Sequence, residues 1–571
     1  MRQAAGCYNR PPGHCWSAPS PVNIPVSELL VRFMERLGVT HIFGMPGAHI
    51  LPVYDALYHS PIQTVLAKHE QGAAFMAGGQ ARATGGVGAC IATAGPGATN
   101  LVTGIANAYV DRLPVLAVTG ETSTHIFGRG GLQESSGEGG SIHQAELFRS
   151  ITRYARLVER TDYLGNVLNR TLHQLRAPRG GPVLLSLPFN VQKELVDDAV
   201  LDDLAFGDTP GARSPHHLVQ PLANLLVAAK KPVIVAGYGC LRGGAQAQVN
   251  RLAELLGAPV ATSLKAKGVI DEDSPLALGS LGVTSGDRAY RYIVEQADLV
   301  LFLGAGLNER TSYLWDQQLF SGRTLIQVDH DPEQLDKVFR ADLSVVAELA
   351  PLLDELLAEL QARGHRAAAT APSAAPASTQ ADSRLFPQGL ELVESLFDKL
   401  QHHFPEGLMV FDDNILYAQN FYRVPARHRY YPNSGISSLG HALPAAIGAR
   451  MARALPTIAI LGDGGFQMCA MELMTAVNYR VPLTVVLFNN GTMGLVRKNQ
   501  HQHYGDRFID CDFVNPDYAR LAEAFGMVHR RVESPEALDR AFDELDFAGG
   551  LNLLEIPVDR DAYPNYDSGR G

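Results

Sequence analysis

Long apolar runs are missing from this chain. Nothing approaches the roughly 18–20 consecutive apolar residues of a membrane-crossing helix, so no span is expected. Cysteine is scarce and scattered: six in 571 residues (Cys7, Cys15, Cys90, Cys240, Cys469, Cys511). Without a CxxC pair they argue against a zinc site or a disulfide scaffold and favour a cytoplasmic compartment. Blocks of positive charge are absent too. The formal net charge is −11, with acidic and basic residues interspersed, so a nucleic-acid surface is not expected and the charge serves solubility. The opening MRQAAGCYNRPPGHCWSAPSP has no apolar h-region, which argues against a secretory signal; a disordered arm is expected over residues 1–22.

The composition, 46% hydrophobic and 19% charged, is that of a soluble globular protein. Short apolar runs alternate with helical patterns in three blocks. The first, residues 23–195, holds THIFGM, QTVLAK, GACIATAG, PVLAVTG and GPVLLSLP. The second, residues 213–362, holds KPVIVAG, APVATS, ADLVLFLG and TLIQVD. The third, residues 385–560, holds GLMVFDD, TIAILGDGG, PLTVVLFNN and LNLLEIPV. A proline-bearing joint, DTPGARSPHH, separates the first two, and an alanine-, serine- and proline-rich linker over 363–384 precedes the third. The runs are β-branched and do not alternate strictly, which predicts an α/β protein of three doubly wound parallel-sheet domains. Ligands of such sheets sit beyond the carboxyl ends of the strands.

One strand end is peculiar. TIAILGDGG closes on Asp463 between Gly462 and Gly464-Gly465, where an unpaired carboxylate is costly to bury. A helical pattern follows, with Met471, Met474 and Val477 in step, and the next strand, LTVVLF, ends in Asn489-Asn490-Gly491-Thr492. A βαβ crossover brings both strand ends to one edge. A carboxylate, an amide oxygen and a loop carbonyl are hard ligands suited to Mg²⁺ or Ca²⁺, with phosphate oxygens completing the shell. The glycines let the backbone approach those phosphates. Asp463 then pairs with a metal that carries a diphosphate; the plainer alternative is a helix-capping aspartate in a tight turn.

The strand–GDG–helix–strand–NN arrangement resembles the thiamin diphosphate (ThDP) signature. By that resemblance Asp463, Asn490 and the carbonyl of Thr492 hold Mg²⁺ on the cofactor diphosphate, and Glu70, just past QTVLAK, is the carboxylate that polarises the cofactor's aminopyrimidine. In this family that glutamate comes from a second subunit, so the resemblance implies an obligate homo-oligomer, dimer or tetramer, with sites at the interface. Long stretches are similar to the acetohydroxyacid (acetolactate) synthase branch: FGMPGAHILPVYDAL, KHEQGAAFMAGGQARATG, TAGPGATNLVTGIANAYVDRLPVLAVTGE, LQE, LGHALPAAIGAR, GDGGFQMCAMEL and NNGTMGLVR. The likeness implies a pyrimidine-binding first domain, a Rossmann-like middle domain and a diphosphate-binding third domain.

It also implies roles. Leu439 is the apolar wedge that bends the cofactor, Gln133 a polar active-site residue, and Met493 and Val496 apolar lining. Ala48, with Gly47, replaces a Gly-Gly pair near the substrate. Arg153 stands where lysine is expected, Asn499 where synthases carry the tryptophan that selects the second keto acid, and Asp412-Asp413-Asn414 where Gly-Gln-His usually lies. His441, two residues past the wedge, is read as a buried structural histidine. In the middle domain Gly304, Arg310 and Asp329 (with Asp331 as the other ribose candidate) match positions that hold FAD in synthases and ADP, or nothing, in related enzymes. The implied activity is decarboxylation of a 2-keto acid, pyruvate first among them, and carboligation to a second carbonyl compound. A ThDP-dependent lyase or hydrolase on another ketone, and an inactive cofactor-binding paralogue, are the alternatives.

Overall fold

The computed structural model describes residues 22–207, 215–365, 385–386 and 389–566. The arm expected over 1–22, apart from Val22, and the linker expected over 363–384, apart from 363–365, lie outside the described residues. Three six-stranded sheets form, parallel at every pairing. The first takes strands His41–Gly44, Gln63–Leu66, Gly88–Ala92, Val115–Glu121, Tyr154–Leu157 and Val183–Pro188. Numbered along the chain, they lie in the order 2-1-3-4-6-5. The third sheet takes Met409–Asp412, Arg429–Pro432, Thr457–Gly462, Leu483–Asn489, Val528–Arg531 and Leu551–Pro557 in the same order. The middle sheet, from Pro232–Ala236 to Leu343–Val346, is ordered 3-2-1-4-5-6. A short antiparallel ribbon of Asn23–Pro25 with Leu195–Asp197 closes the first unit.

Every central strand coincides with an apolar run read from sequence. Within the three six-stranded sheets, the five strands that the runs did not reveal are all edges: Tyr154–Leu157, Ala277–Ser280, Leu343–Val346, Arg429–Pro432 and Val528–Arg531. Segments such as VHRR and YARL are short, half exposed and polar, as edge strands are when further pairing must be discouraged.

The first and third units share one core. A single buried cluster runs from Phe43 and Ala74 through Ala445 and Ile447 to Leu487 and Leu553. At its centre, helix Glu70–Thr84 packs on helix Ala442–Ala452. Both are built of alanine and glycine, EQGAAFMAGGQARAT and ALPAAIGARMA. A Cβ at Gly79 would overlap the carbonyl of Ala445, and one at Gly448 the carbonyl of Met76. Only glycine permits backbones this close. The middle sheet keeps separate cores on its two faces, around Leu252 and Leu356 on one and Ile293 and Phe302 on the other.

Candidate active site

Two half-sites stand at the carboxyl ends of the first and third sheets. In the third, Thr457–Gly462 and Leu483–Asn489 pair in register, with Gly462 opposite Phe488. The tips close on Asp463, which is 1% exposed. Its Oδ2 accepts from the backbone N–H of Asn490 (3.0 Å) and Gly491 (2.6 Å) and from Asn515 Nδ2 (2.7 Å). Among the described residues its Oδ1 accepts only from Gly464 N–H, at 2.9 Å. Four donors cancel most of the cost of burying the charge, and lone-pair capacity remains on Oδ1. Asn490 Oδ1 takes one N–H, from Thr492 at 3.1 Å, and also keeps capacity. Among the described residues no group of three His, Cys, Asp or Glu is placed to hold a metal. A hard cation bound by Asp463 Oδ1, Asn490 Oδ1, a loop carbonyl and phosphate oxygens fits this set.

The glycines of GDGG have separate reasons. A Cβ at Gly464 would overlap Met493 Sδ, and one at Gly465 would overlap Asp413 Oδ2. Helix Asp463–Cys469 starts at the aspartate itself, and Gly491 adopts φ 63° to turn the chain behind it. Around these tips lies a cleft of about 200 Å³. Leu439, Gly462, Asp463, Gly464, Gly465, Asn490, Thr492, Met493 and Val496 all line it. Asn499 does not, but it follows Val496 by three residues on helix Gly494–Tyr504 and so shares its side. Met471, assigned to an apolar helix face, is instead 61% exposed. The helix is interrupted at Ala470–Glu472, which rotates Met471 outward.

In the first sheet, Glu70 opens helix Glu70–Thr84 and is 9% exposed. Asn100 Nδ2 donates to its Oε2 at 2.9 Å. Gln133, at φ 55°, places Oε1 3.3 Å from Thr93 Oγ1 and 3.2 Å from His49 Nδ1. Thr93 also packs against Gly47, where a Cβ would overlap it. Ala48, Glu70, Thr93 and Gln133 thus share one edge. The cleft at Asp463 is lined only by third-unit residues, so within one chain the two half-sites stay apart. Arg153 joins neither: it precedes Tyr154–Leu157 at the opposite end of the first sheet, its guanidinium 4.6 Å over the ring of Tyr109. In the middle unit Gly304, Arg310 and Asp329 line a cavity of about 680 Å³. Arg310 Nη1 donates to Asn414 Oδ1 (3.3 Å), and Asn414 lines the Asp463 cleft. Asp329 Oδ1 accepts from Asp331 N–H at 2.9 Å and lies 3.2 Å from His330 Nδ1.

Two supporting residues, Glu472 and Asn515, were not singled out in the sequence, and a third, Asp413, was singled out without the role it has here. Glu472, buried in the third unit, accepts from the backbone N–H of Lys68 (3.1 Å) and His69 (3.0 Å) and from Thr475 Oγ1 (2.7 Å). It holds the loop immediately before Glu70, and burial raises its pKa. Asn515 ties Asp463 to Asn489. Asp413 accepts from Gly440 N–H (2.7 Å) and His441 N–H (3.1 Å) and fixes the turn that presents Leu439. Burial pushes the carboxyls of Asp412 and Asp413 up, to about 7 and about 6, despite several hydrogen bonds. The aspartates were visible only as a departure from Gly-Gln-His; Glu472 lies within the GDGGFQMCAMEL stretch but was given no role there, and Asn515 stands in a loop outside the quoted stretches. His441 is buried edge-on against Phe75 (5.1 Å between centroids), and its Nδ1 lacks a hydrogen bond. Burial drives its pKa down to about 3, so the ring is neutral.

Three family models match the chain: the N-terminal thiamine pyrophosphate (TPP) binding domain of thiamine pyrophosphate enzymes at residues 24–139, their central domain at 219–356, and their C-terminal TPP binding domain at 414–556. A probable acetolactate synthase large subunit of Methanocaldococcus jannaschii is 34% identical over 553 residues, covering 93% of this chain and 92% of that protein. The acetolactate synthase of Arthrospira platensis is 31% identical, covering 94% of each. The acetolactate synthase isozyme 2 large subunit of Escherichia coli is 31% identical, covering 93% of this chain and 95% of its own length.

Proposed function

The chain belongs to the thiamine pyrophosphate enzyme family, and from that premise we propose that it is an acetolactate synthase-like carboligase. It decarboxylates a 2-keto acid, pyruvate, and joins the retained acyl carbon to the carbonyl carbon of a second molecule. CO₂ is lost, one carbon–carbon bond breaks and another forms. The observation that carries this reading is the meeting of two strand tips on Asp463, with acceptor capacity left for a cation, in a chain that is collinear with acetolactate synthases.

ThDP, when bound, supplies the electron sink for the pair left by CO₂. The protein supplies position and polarisation. Asp463, Asn490 and the Thr492 carbonyl hold Mg²⁺ and through it the diphosphate. Leu439, held by Asp413, wedges the cofactor, and Met493 and Val496 keep its substrate side apolar, which limits water. Glu70 of the partner subunit holds a proton at the aminopyrimidine nitrogen, and Gln133 of the partner subunit faces the substrate. A homo-oligomer is supported by the separation of the half-sites and by apolar side chains left open beside them: Leu132 next to Gln133, and Met468 just after GDGG, are 73% and 64% exposed. Gly304, Arg310 and Asp329 are assigned to FAD or ADP. Arg310 and Asp329 line one cavity, which supports that assignment, and Asp329, with Oδ1 engaged by Asp331 N–H, keeps its other oxygen for a ribose.

No helix among the described residues is long and apolar enough to cross a membrane. Cys90, Cys240, Cys469 and Cys511 are free thiols, in keeping with a cytoplasmic assignment.

Mass analysis of small molecules released on denaturation tests the cofactors: ThDP is expected, with FAD or ADP beside it. Purified protein with pyruvate, alone and with 2-ketobutyrate or an aldehyde, is expected to release CO₂ and form 2-acetolactate or the mixed product. Acetaldehyde as the sole product, or CO₂ release only from another keto acid, would overturn the assignment.

A further inference from the structure

A long connection in the first unit, residues 122–143, joins strand Val115–Glu121 to helix Gln144–Arg149. It carries Gln133, whose backbone sits at φ 55°. A non-glycine residue held there is strained, and such strain persists only where the surroundings over-determine it. Two acidic side chains do so. Glu121, fully buried at the strand tip, accepts at Oε1 from the N–H of Thr122 (2.8 Å) and of Ser135 (2.9 Å). Its Oε2 is buried and, among the described residues, has no hydrogen bond. Glu134 uses both oxygens. Oε1 accepts from Gly128 N–H (2.5 Å) and Ser136 Oγ (2.8 Å), and Oε2 from the N–H of Gly130 (3.0 Å) and Gly131 (2.9 Å). Gly128 and Gly130 reach these positions at φ 76° and 74°. The two residues after Gln133 are therefore both tied down, 134 through its side chain and 135 through its N–H. The far end of the connection closes on buried Gln144, whose Nε2 donates to Thr119 Oγ1 (2.8 Å) and Ser186 Oγ (2.9 Å) on the sheet.

Gln133 Oε1 is engaged by Thr93 and His49, so the two Nε2 hydrogens are the donors left for a substrate oxygen. The two carboxyl groups differ in what their places demand. Donation from Gly128 foremost holds the Glu134 carboxyl below the usual carboxylate range, against the opposing effect of burial. Burial foremost pushes Glu121 up. Four donors converging on residue 134 call for an anion, whereas a neutral acceptor suffices at 121. We propose that Glu134 is a positioning residue for Gln133: as an anion that gathers three glycine amides, it sets the turn presenting the Gln133 amide to the keto acid, a role that rests on the function proposed above. Such presetting matters because a donor displaced by about 1 Å forfeits much of its effect on the reacting group.

The test is a double-mutant cycle on kcat/KM, read beside amide hydrogen exchange of the enzyme loaded with ThDP and Mg²⁺. Glu134→Gln sets an NH₂ group against N–H groups. It is expected to lower kcat/KM for pyruvate by about 10²-fold, with ThDP affinity as in wild type. Gln133→Ala should cause a similar loss, and adding Glu134→Gln to it should cost no more than about twofold further. A merely structural role would multiply the two losses. Exchange at the amides of Gly128, Gly130, Gly131 and Ser135 should quicken in Glu134→Gln, while strand Val115–Glu121 stays protected. Glu121→Gln, which keeps the one oxygen in use, should be the milder change. Should Glu134→Gln fail to fold, Glu134→Asp, which keeps the charge but falls short of the amides, takes its place in the cycle. The proposal is overturned if the two losses multiply, if exchange at the four amides is unchanged, or if Glu121→Gln lowers kcat/KM as far as Glu134→Gln. Absence of CO₂ release from pyruvate by the wild type counts against the assigned reaction alone, and exchange at the four amides then decides whether Glu134 sets the turn.

Discussion

The first and third sheets have the same strand order and the same edge facing a reaction site, yet they use that edge in opposite ways. In the third, two central strand tips are drawn together on one carboxylate, whose charge is absorbed by four donors. In the first, the equivalent third strand is followed by the neutral turn TAGPGATN, and the carboxylate has moved to the helix after strand two, with one side-chain donor, Asn100. A carboxylate that anchors a cation must be fixed and saturated on one side. A carboxylate that shares a proton must keep an open face. Under the function proposed above, the duplicated scaffold supplies both without changing its topology.

That contrast breaks most sharply at Glu70. Glu70→Gln keeps the size and the contact with Asn100 but removes the exchangeable proton; kcat should fall by about 10²–10⁴-fold while ThDP retention, followed by fluorescence quenching, stays near wild type. Asp463→Asn should do the reverse. Its amide would set N–H against the N–H of Asn490 and Gly491, and Mg²⁺-dependent ThDP affinity should drop by about 10–100-fold, with activity partly restored at saturating cofactor. Equal effects of the two substitutions on affinity would erase the distinction.

A third substitution asks whether the two units are one body. Gly79→Ala puts a methyl into the carbonyl of Ala445 and should cost about 1–3 kcal/mol, read as a lower urea midpoint. The smallest effect concerns pH. Asp412 and Asp413 hold protons in the folded state up to about 7 and about 6, whereas unfolded aspartates release theirs near 4. Between those values the folded state binds more protons, so stability should decline as pH rises through this window. Asp413→Asn should flatten the decline, and an unchanged slope would show that Asp413 takes no part in it.

Central strands were legible because burial on both faces forces continuous apolar runs. Edge strands such as Val528–Arg531 were not, because one face and one rim meet water. The tips at Asp463 and Asn490 were legible because glycine and paired asparagines are poor strand residues, so their presence there signals another demand. Glu472 was silent: a glutamate in a helix break reads as surface, and only folding reveals that it reaches across to residues 68 and 69. Arg153 illustrates the converse. Alignment with a family motif gave it a place near substrate, yet its backbone N–H bonds to Pro182 O (2.8 Å) at the far end of the sheet.

The glycine- and alanine-built helix pair has a bearing on biosynthesis. Helix Glu70–Thr84 leaves the ribosome long before its partner, Ala442–Ala452, exists. At about 5–20 residues per second the wait is roughly 20–70 s. The middle unit, with cores of its own, can close during that interval; the first cannot finish. A nascent chain stalled at that stage displays a bare small-residue helix, which makes the N-terminal third the natural client of chaperones and proteases while translation continues.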